Sequence, residues 1–235
     1  MSEYLIRDKA KAWGVHAFTI SGVILGLLAT LALLNGQPKA CLLWLGAALL
    51  VDGLDGTLAR RFEVKLVLPN FDGAVLDLVI DYLTYVFVPV LFIYEYVPMP
   101  GSSELLAVAV ILVSSLFCFC NVNMKSQDNY FVGFPAAWNL VAMYLYLIAL
   151  EPISNLVIVV LLAALTLTQV KFLHPFRVRR FMAVNIASTC IWLFCSAWLI
   201  WQFPQQRLSI VILWWLSGIY FVAICAWRTL QEWRS

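Results

Sequence analysis

The chain has 235 residues and a formal net charge of +2, and 63% of its residues are hydrophobic whereas only 12% are charged. With a mean hydropathy of +0.91, it is far too apolar for a soluble globular domain. This composition predicts a polytopic membrane protein.

Eight segments of the sequence are long and apolar enough to cross a membrane, which takes about 20 predominantly apolar residues. They cover residues 14–35, 40–60, 71–93, 104–123, 133–150, 153–173, 183–203 and 208–227. The expected fold is therefore all-α, a polytopic bundle of about eight transmembrane helices that forms a single domain over residues 1–235.

The segment before the first span, residues 2–13, mixes apolar and basic side chains. Such a mixture predicts a short amphipathic helix on the anionic face of a membrane. The alternative is a basic anchor that only fixes the topology. His16, at the start of the first span, is expected to be a polar residue whose hydrogen bonds are satisfied.

The distribution of basic residues predicts the orientation of the spans. With the amino terminus in the cytoplasm, only Lys39 and Arg207 lie on the opposite side of the membrane. The cytoplasmic side then carries Arg7, Lys9, Lys11, Arg60, Arg61, Lys65, Lys125, Lys171, Arg177, Arg179, Arg180, Arg228 and Arg234. Both termini, and the loop between the second and third spans, are predicted to be cytoplasmic.

Carboxylates are concentrated in the two spans that flank this loop. Asp52 and Asp55 lie in the second span, and Asp77 and Asp81 lie in the third. A charge at membrane depth is costly because hydrocarbon cannot solvate it, so the cluster is predicted to be a functional site. Spacings of three and four residues put each pair on one face of a helix.

The same two faces carry Gly56, Ala59 and Gly73, small residues that would let the two helices approach closely. Facing carboxylates repel one another, and divalent metal would relieve that repulsion. Ligation by oxygen alone favours hard ions such as Mg²⁺ or Mn²⁺. Two such ions would balance four carboxylates, an arrangement that is used in phosphoryl-group chemistry.

The loop between the two spans contains a helix breaker, Pro69. Asn70 is predicted to cap a helix that begins at Phe71 and Asp72. Asp72 is then expected to have a structural role near the start of that helix.

The order Asp52-x-x-Asp55-Gly56-x-x-Ala59-Arg60, followed by Gly73-x-x-x-Asp77-x-x-x-Asp81, resembles the signature of the CDP-alcohol phosphotransferases. These integral membrane enzymes join a CDP-activated group to an alcohol. The connection between Arg60 and Gly73, residues 61–72, is longer than the usual one. This longer connection, together with residues 128–139 and 172–178, resembles the bacterial phosphatidylcholine synthase branch.

The resemblance implies a six-helix catalytic core with two further spans in a bacterial inner membrane. It implies transfer of a phosphatidyl group from CDP-diacylglycerol to choline, with two ions of Mn²⁺ or Mg²⁺ and with Asp81 as general base. The implied metal ligands are Asp52, Asp55, Asp77 and Asp81. The implied contacts of CDP-diacylglycerol are Asp55, Gly56, Ala59, Arg60 and Gly73.

Other residues are expected to contact the alcohol and the lipid. Proteins recognise a quaternary ammonium with aromatic faces, and the choline candidates are Tyr82, Tyr85, Asp128, Asn129, Tyr130 and Trp138. For Tyr130 and Trp138 the alternative is an interfacial aromatic belt. Guanidinium groups match phosphate, so the lipid-phosphate candidates are Arg177, Arg179 and Arg180, with a topogenic role as their alternative.

Three functions compete for the carboxylate cluster: an enzyme, a cation transporter, and a structural pairing of the acids with Arg60 and Arg61. A transporter needs polar groups that continue across the membrane, whereas Asp81 is followed by the acid-free stretch 82–87. Two arginines cannot neutralise four carboxylates. We therefore favour the enzyme, whose expected partners are CDP-diacylglycerol, choline and the bilayer, with no nucleic acid. Serine, glycerol phosphate and inositol stay open as acceptors, and so does a homodimer.

Overall fold

The computed structural model describes residues 6–124 and 126–234, so Lys125 and residues 1–5 lie outside it. In the described part, five helices are long and apolar enough to cross a membrane: Ile6–Leu34, Pro38–Arg61, Gly73–Tyr96, Met182–Gln202 and Leu208–Trp233. Shorter apolar helices cover Glu104–Cys120, Trp138–Ile148 and Pro152–Leu165. Each of the eight predicted segments overlaps one of these helices, five of which reach spanning length in the described part, and the all-α, multi-pass membrane fold is confirmed.

The chain divides into two compact units, the first ending at Val88 and the second beginning at Pro89. The first unit contains α1 (Ile6–Leu34), α2 (Pro38–Arg61), α3 (Val64–Val67), α4 (Gly73–Asp81) and a π-helical segment (Tyr82–Phe87). The second contains α5 (Val88–Tyr96), whose first residue closes unit one, then α6 (Glu104–Cys120), β1 (Phe131–Val132), α7 (Trp138–Ile148), α8 (Pro152–Leu165), β2 (Lys171–Phe172), α9 (Met182–Gln202) and α10 (Leu208–Trp233). That residues 1–235 act as one domain stays a prediction.

The first helix starts earlier than the sequence predicts. Residues 6–13 form the first turns of α1, and Gly14 stays helical. The separate interfacial helix that is expected over residues 2–13 is therefore not found in residues 6–13, because no helix breaker precedes the apolar stretch. Residues 2–5 lie outside the described part.

A tight turn at Gly36 joins α1 to α2. The φ of Gly36 is +66°, a conformation that favours glycine. Its N–H donates to the carbonyl of Leu33 (3.0 Å), and the N–H of Gln37 donates to the carbonyl of Ala32 (2.9 Å). This is a Schellman motif. Pro38 then begins α2 at a position that tolerates proline, and the short turn makes the two helices antiparallel.

Small residues let α1 and α4 approach closely. A Cβ on Gly22 would lie 2.7 Å from Cγ2 of Ile80, and a Cβ on Gly73 would lie 2.7 Å from Cε1 of His16. Real Cβ atoms essentially never come this close to their neighbours, so a larger residue at either point would force the neighbouring side chain or helix to move. His16, near the start of α1, contacts Gly73 at the start of α4, whereas Gly22, further along α1, contacts Ile80 near the end of α4. The two helices are therefore parallel.

Asp72 caps the start of α4. Its Oδ1 accepts hydrogen bonds from the N–H groups of Ala74 (2.9 Å) and Val75 (3.2 Å). The helix thus begins at Gly73, and the prediction that Asn70 caps a helix starting at Phe71 is wrong. A carboxylate satisfies helix-end N–H groups and also interacts favourably with the helix dipole, which confirms the structural role of Asp72.

In the second unit, β1 and β2 form an antiparallel pair in which Phe131 lies opposite Phe172, and Val132 lies opposite Lys171. The N–H of Lys171 donates to Oγ1 of Thr229 in α10 (2.9 Å). This contact fixes the pair on the last helix. A strand of two residues carries no periodic pattern, so the sequence does not predict it.

Aromatic side chains hold α7, α9 and α10 together. The ring of Tyr144 stacks on that of Trp214 at a centroid distance of 4.3 Å. The indole N–H of Trp192 donates to the hydroxyl of Tyr144 (2.7 Å), and that of Trp214 donates to Oγ of Ser196 (2.9 Å). Each of these indoles therefore has the polar partner that burial requires.

The glycine contact between α1 and α4 generates a stability prediction. Gly22→Val should push α1 away from Ile80 and destabilise the protein by about 1–3 kcal/mol, the usual cost of overpacking. Gly46→Val is the matched control, because a Cβ there meets nothing within 4 Å. Thermal unfolding of the purified protein measures both, and equal shifts of the midpoint would contradict the packing described here.

Candidate active site

The carboxylates of Asp52, Asp55 and Asp77 meet inside the first unit. One oxygen of each lies within 4.8 Å of the other two, and Asp55 is buried whereas Asp52 and Asp77 are half-buried. Asp81 lies one helical turn beyond Asp77, and its side chain interacts with that of Asp52. Helices α2 and α4 thus present their acids to one another, as the spacing predicts.

The chemistry of this group fits a divalent cation. All of its ligand atoms are carboxylate oxygens, which are the ligands that Mg²⁺ and Mn²⁺ prefer. Three anionic side chains so close together, and partly removed from water, repel one another unless a cation or protons intervene. The three carboxylates can therefore hold a metal ion.

Helix α1 adds two polar residues to this region. The side chain of Thr19 interacts with the carboxyl of Asp55. One turn earlier in α1, His16 is only 4% exposed, and its Nε2 has no hydrogen-bond partner among the described residues. The described residues supply no partner for this nitrogen, so the expectation that His16 is satisfied stays a prediction. The spacing of three residues between His16 and Thr19 was the sequence signal that could have placed both on one helix face.

Tyr85 reaches the carboxylates from the π-helical segment. Its hydroxyl donates a hydrogen bond of 2.6 Å to Oδ2 of Asp52. The segment begins directly after Asp81, and π-helical turns are rare and frequent at functional sites. The hydroxyl of Tyr85 is thus directed at an acid. A choline contact by Tyr85, or by the half-buried Tyr82, stays a prediction.

The residues predicted to contact the donor surround the same end of the first unit. Gly56 is half-buried in α2, and the guanidinium of Arg60 donates to Oγ1 of Thr57 (3.1 Å). Ala59 packs against a buried cluster of four residues: Ala12, Val15, Val64 and Val67. Gly73 lies under the ring of His16. The structure thus brings together the ends of α1, α2 and α4.

In the second unit, Asp128 belongs to a chain of ion pairs. Its Oδ2 accepts from Nε of Arg228 at 2.7 Å, and Nη1 of Arg228 lies 2.9 Å from Oε2 of Glu232. Oε1 of Glu232 in turn lies 3.0 Å from Nζ of Lys171, which is buried. We call these four residues the charge network. They fasten the loop before β1, and β2 itself, to the last turns of α10.

The charge network keeps the carboxyl of Asp128 ionised. Burial works against ionisation, but hydrogen bonds from Arg228 and Ser126 outweigh it and lower the pKa of Asp128. The guanidinium of Arg228 also lies over the ring of Tyr130, 5.7 Å from its centroid. Two of the residues predicted to contact choline therefore already contact a cation of the chain.

The other choline candidates of the second unit differ in exposure. Asn129 is exposed, with a φ of +66° that asparagine adopts more readily than most residues. Trp138 is fully buried, and its indole N–H donates to Oγ of Ser115 (2.9 Å). A choline contact by Trp138 stays a prediction, but its ring has an interior position and is not part of an interfacial belt.

The three arginines before α9 occupy different surroundings. Arg177 is half-buried and Arg179 is exposed. The guanidinium of Arg180 stacks over the ring of Trp227, 4.2 Å from its centroid. A stacked guanidinium keeps its N–H groups at the edge of its plane, where they can still donate hydrogen bonds. A contact between Arg180 and lipid phosphate stays a prediction.

The hydrogen bond from Tyr85 generates a prediction about cation binding. Tyr85→Phe removes the group that orients Asp52, and loss of such an outer partner typically weakens metal affinity by about 10- to 100-fold. Mn²⁺ titration followed by electron paramagnetic resonance measures the affinity. Tyr94→Phe is the matched control, because Tyr94 is 51% exposed. Equal affinities in both variants would show that Tyr85 does not orient a ligand.

The lowered pKa of Asp128 generates a pH prediction. A group whose folded pKa is depressed contributes stability above its unfolded pKa, about 4 for aspartate, and loses that contribution as the pH falls through the folded value. The thermal midpoint of the wild type should therefore approach that of Asp128→Asn as the pH is lowered from 7 to 3. A gap between the two proteins that stays constant over this range would contradict the ion pairing.

Comparison with known proteins gives the family of the chain. The family model described as CDP-alcohol phosphatidyltransferase matches residues 16–170. The chain is 68% identical over 226 residues to a phosphatidylcholine synthase of Pseudomonas aeruginosa, covering 96% of this chain and 95% of that one.

Two further phosphatidylcholine synthases are more distant relatives. The protein of Bradyrhizobium diazoefficiens is 43% identical over 185 residues, covering 78% of this chain and 69% of its own. The protein of Agrobacterium fabrum is 35% identical over 214 residues, covering 91% of this chain and 89% of its own. The region that the family model matches, residues 16–170, contains Asp52, Asp55, Asp77 and Asp81 together with His16. The chain belongs to the CDP-alcohol phosphatidyltransferase family.

Proposed function

We propose that the protein transfers a phosphatidyl group from CDP-diacylglycerol to choline and so forms phosphatidylcholine and CMP. The observation that carries the proposal is the meeting of Asp52, Asp55 and Asp77 within 4.8 Å of one another. Membership of the family explains why three acids occupy an apolar bundle. The 68% identity to a phosphatidylcholine synthase over most of both chains supports choline as the acceptor.

The carboxylates of Asp52, Asp55 and Asp77 would hold two divalent ions, Mn²⁺ or Mg²⁺, and Asp81 would complete their ligands. When bound, these ions polarise phosphoryl oxygens and neutralise charge at the phosphates. The hydroxyl of Tyr85 holds Asp52 in place, and Thr19 does the same for Asp55. The oxygens are thereby oriented before the cation arrives.

The donor lies with its diphosphate at these acids and its cytidine towards Gly56, Ala59 and Arg60. Asp55, on the same helix, and Gly73, at the start of α4, border the same space. A larger side chain at Gly56 would compete with the nucleotide for this space, whereas the space at Gly73 is already occupied by the ring of His16. The guanidinium of Arg60 is exposed and can accompany the phosphate or ribose. The acyl chains extend sideways into the bilayer.

Asp81 serves as the general base of the reaction. It accepts the hydroxyl proton of choline as the choline oxygen forms a bond to the β-phosphorus of the donor. The bond from that phosphorus to the bridging oxygen breaks, and CMP departs with the bridging oxygen. The proton then passes from Asp81 to water, so the enzyme returns to its starting state.

The alcohol and lipid contacts are proposed from the sequence candidates. Tyr82 and Tyr85 follow the base in the chain, and Asp128, Asn129, Tyr130 and Trp138 supply further polar and aromatic groups. Arg177, Arg179 and Arg180 are proposed to hold lipid phosphate. Asp128 and Tyr130 both contact Arg228. We propose that these contacts hold the loop of residues 126–130 in place.

The active site is proposed to face the cytoplasm in the inner membrane of a bacterium. In the first unit, Arg7, Lys9 and Lys11 lie in the first turns of α1, and Arg60 and Arg61 end the antiparallel α2. Lys39 lies at the opposite end of that hairpin. This distribution supports the positive-inside orientation. A homodimer is proposed as the assembly.

The metal site is tested by removing single acids. Asp52→Ala and Asp77→Ala should each lower the rate of CMP release by at least about 100-fold and abolish stoichiometric Mn²⁺ binding. Asp81→Asn should still bind CDP-diacylglycerol and lose most of the rate. Asp8→Asn is the matched control, because Asp8 makes only an exposed contact of 3.7 Å to Lys11. Normal turnover by either alanine variant would overturn the assignment.

The acceptor is tested with purified protein, Mn²⁺ and CDP-diacylglycerol, to which choline, serine, glycerol phosphate or inositol is added separately. Phosphatidylcholine should form with choline, and CMP should not be released with the other alcohols. Phosphatidylserine or phosphatidylglycerol phosphate as the main product would contradict the proposed acceptor while leaving the carboxylate site in place.

A further inference from the structure

The buried imidazole of His16 is a polar group beside the carboxylates that the proposed function does not use. It is 4% exposed, and its Nε2 has no hydrogen-bond partner among the described residues. A buried nitrogen without a partner costs stability, and native structures rarely keep one without a ligand or an ordered water. A group that is absent from the described chain is therefore expected at Nε2.

The surroundings of the imidazole fix it in place. The ring of Phe71 lies at a centroid distance of 4.5 Å and that of Trp13 at 5.7 Å. On a third side, Nε2 of His16 would be 3.9 Å from a Cβ on Gly73, and Cε1 would be only 2.7 Å from it. The glycine at this position of α4 is thus required by the imidazole, whatever else it borders.

The position of His16 along the helix axes can be compared with that of the acids. Along α1 it precedes Thr19, which interacts with Asp55. Along α4, Gly73 precedes Asp77 by one turn, about 5.4 Å. The imidazole is therefore about one helical turn from the carboxylates, on the side where α1 and α4 begin.

We propose that Nε2 of His16 forms a hydrogen bond with the cytidine part of the donor. The inference rests on the proposed function, which locates the diphosphate at the acids. Two groups are bonded to that diphosphate, and the diacylglycerol is the one that extends sideways into the bilayer. The group displaced by one turn towards the start of α1 and α4 is then the nucleoside, whose ribose hydroxyls and cytosine edge offer donors and acceptors. Choline does not fit this position, because its single hydroxyl is taken by the base. An ordered water is the competing occupant.

The variant His16→Phe tests the proposal, because it keeps an aromatic ring against Trp13 and Phe71 and removes both ring nitrogens. Inhibition of the full-length enzyme by CMP, by inorganic pyrophosphate and by choline analogues is measured separately. The inhibition constant for CMP should rise about 2- to 10-fold, the effect of losing one neutral hydrogen bond, and that for pyrophosphate should stay constant. Gly14→Ala is the control, because a Cβ there meets nothing within 4 Å.

A second measurement uses the wild-type protein and does not depend on a variant that folds. The chain has 2 histidines, so ¹⁵N-histidine labelling gives few resonances, and His174→Gln assigns the signal of His16. Addition of CMP with Mg²⁺ should shift the Nε2 resonance of His16, whereas pyrophosphate with Mg²⁺ should not.

Each outcome has one meaning. An unchanged Nε2 resonance with saturating CMP, or an unchanged inhibition constant in His16→Phe, overturns the proposal and leaves an ordered water as the occupant. An equal loss of CMP and pyrophosphate affinity also overturns it, because His16 would then act through the phosphates. If the wild type bound neither CMP nor Mn²⁺, the proposed function itself would fail, which is distinguishable from failure of the histidine contact.

Discussion

The close approach of α1 to α4 is the constraint on which the active site depends. Gly22 and Gly73 remove the side chains that would separate the helices, so that Ile80 and His16 fill the space instead. This packing carries Thr19 to Asp55 and holds Asp77 at the level of α2. In a bilayer, where apolar side chains gain nothing by leaving lipid, such contact between small residues is a main source of helix association. The acids can therefore gather because the glycines let the backbones meet.

Most of the fold could be predicted because membrane spans are long and apolar. All eight predicted segments overlap a helix, and the spacing of Asp52, Asp55 and Asp77 predicted that their carboxylates share a site. What periodicity could not give was the end of each element. Asp72 caps α4 in place of Asn70, because both residues are good caps and only the path of the loop decides between them.

Three features of the site were beyond sequence reasoning. The π-helical segment after Asp81 needs an i to i+5 hydrogen-bond pattern that no residue type encodes, and it directs Tyr85 at Asp52. The burial of His16 was not predictable either, because it depends on contact with the ring of Phe71, far along the chain. The charge network of Asp128, Arg228, Glu232 and Lys171 joins parts of the sequence that no local spacing relates.

The charge network also sets an order on the making of the protein. Asp128 and Arg228 are 100 residues apart in the chain, and ribosomes add about 5–20 residues per second. The loop that carries Asp128 therefore leaves the ribosome roughly 5–20 s before its partner exists. During that interval the second unit cannot complete its packing, and the buried amine of Lys171 waits for Glu232. The charge network of this unit can therefore be completed only after the last turns of α10 have been synthesised.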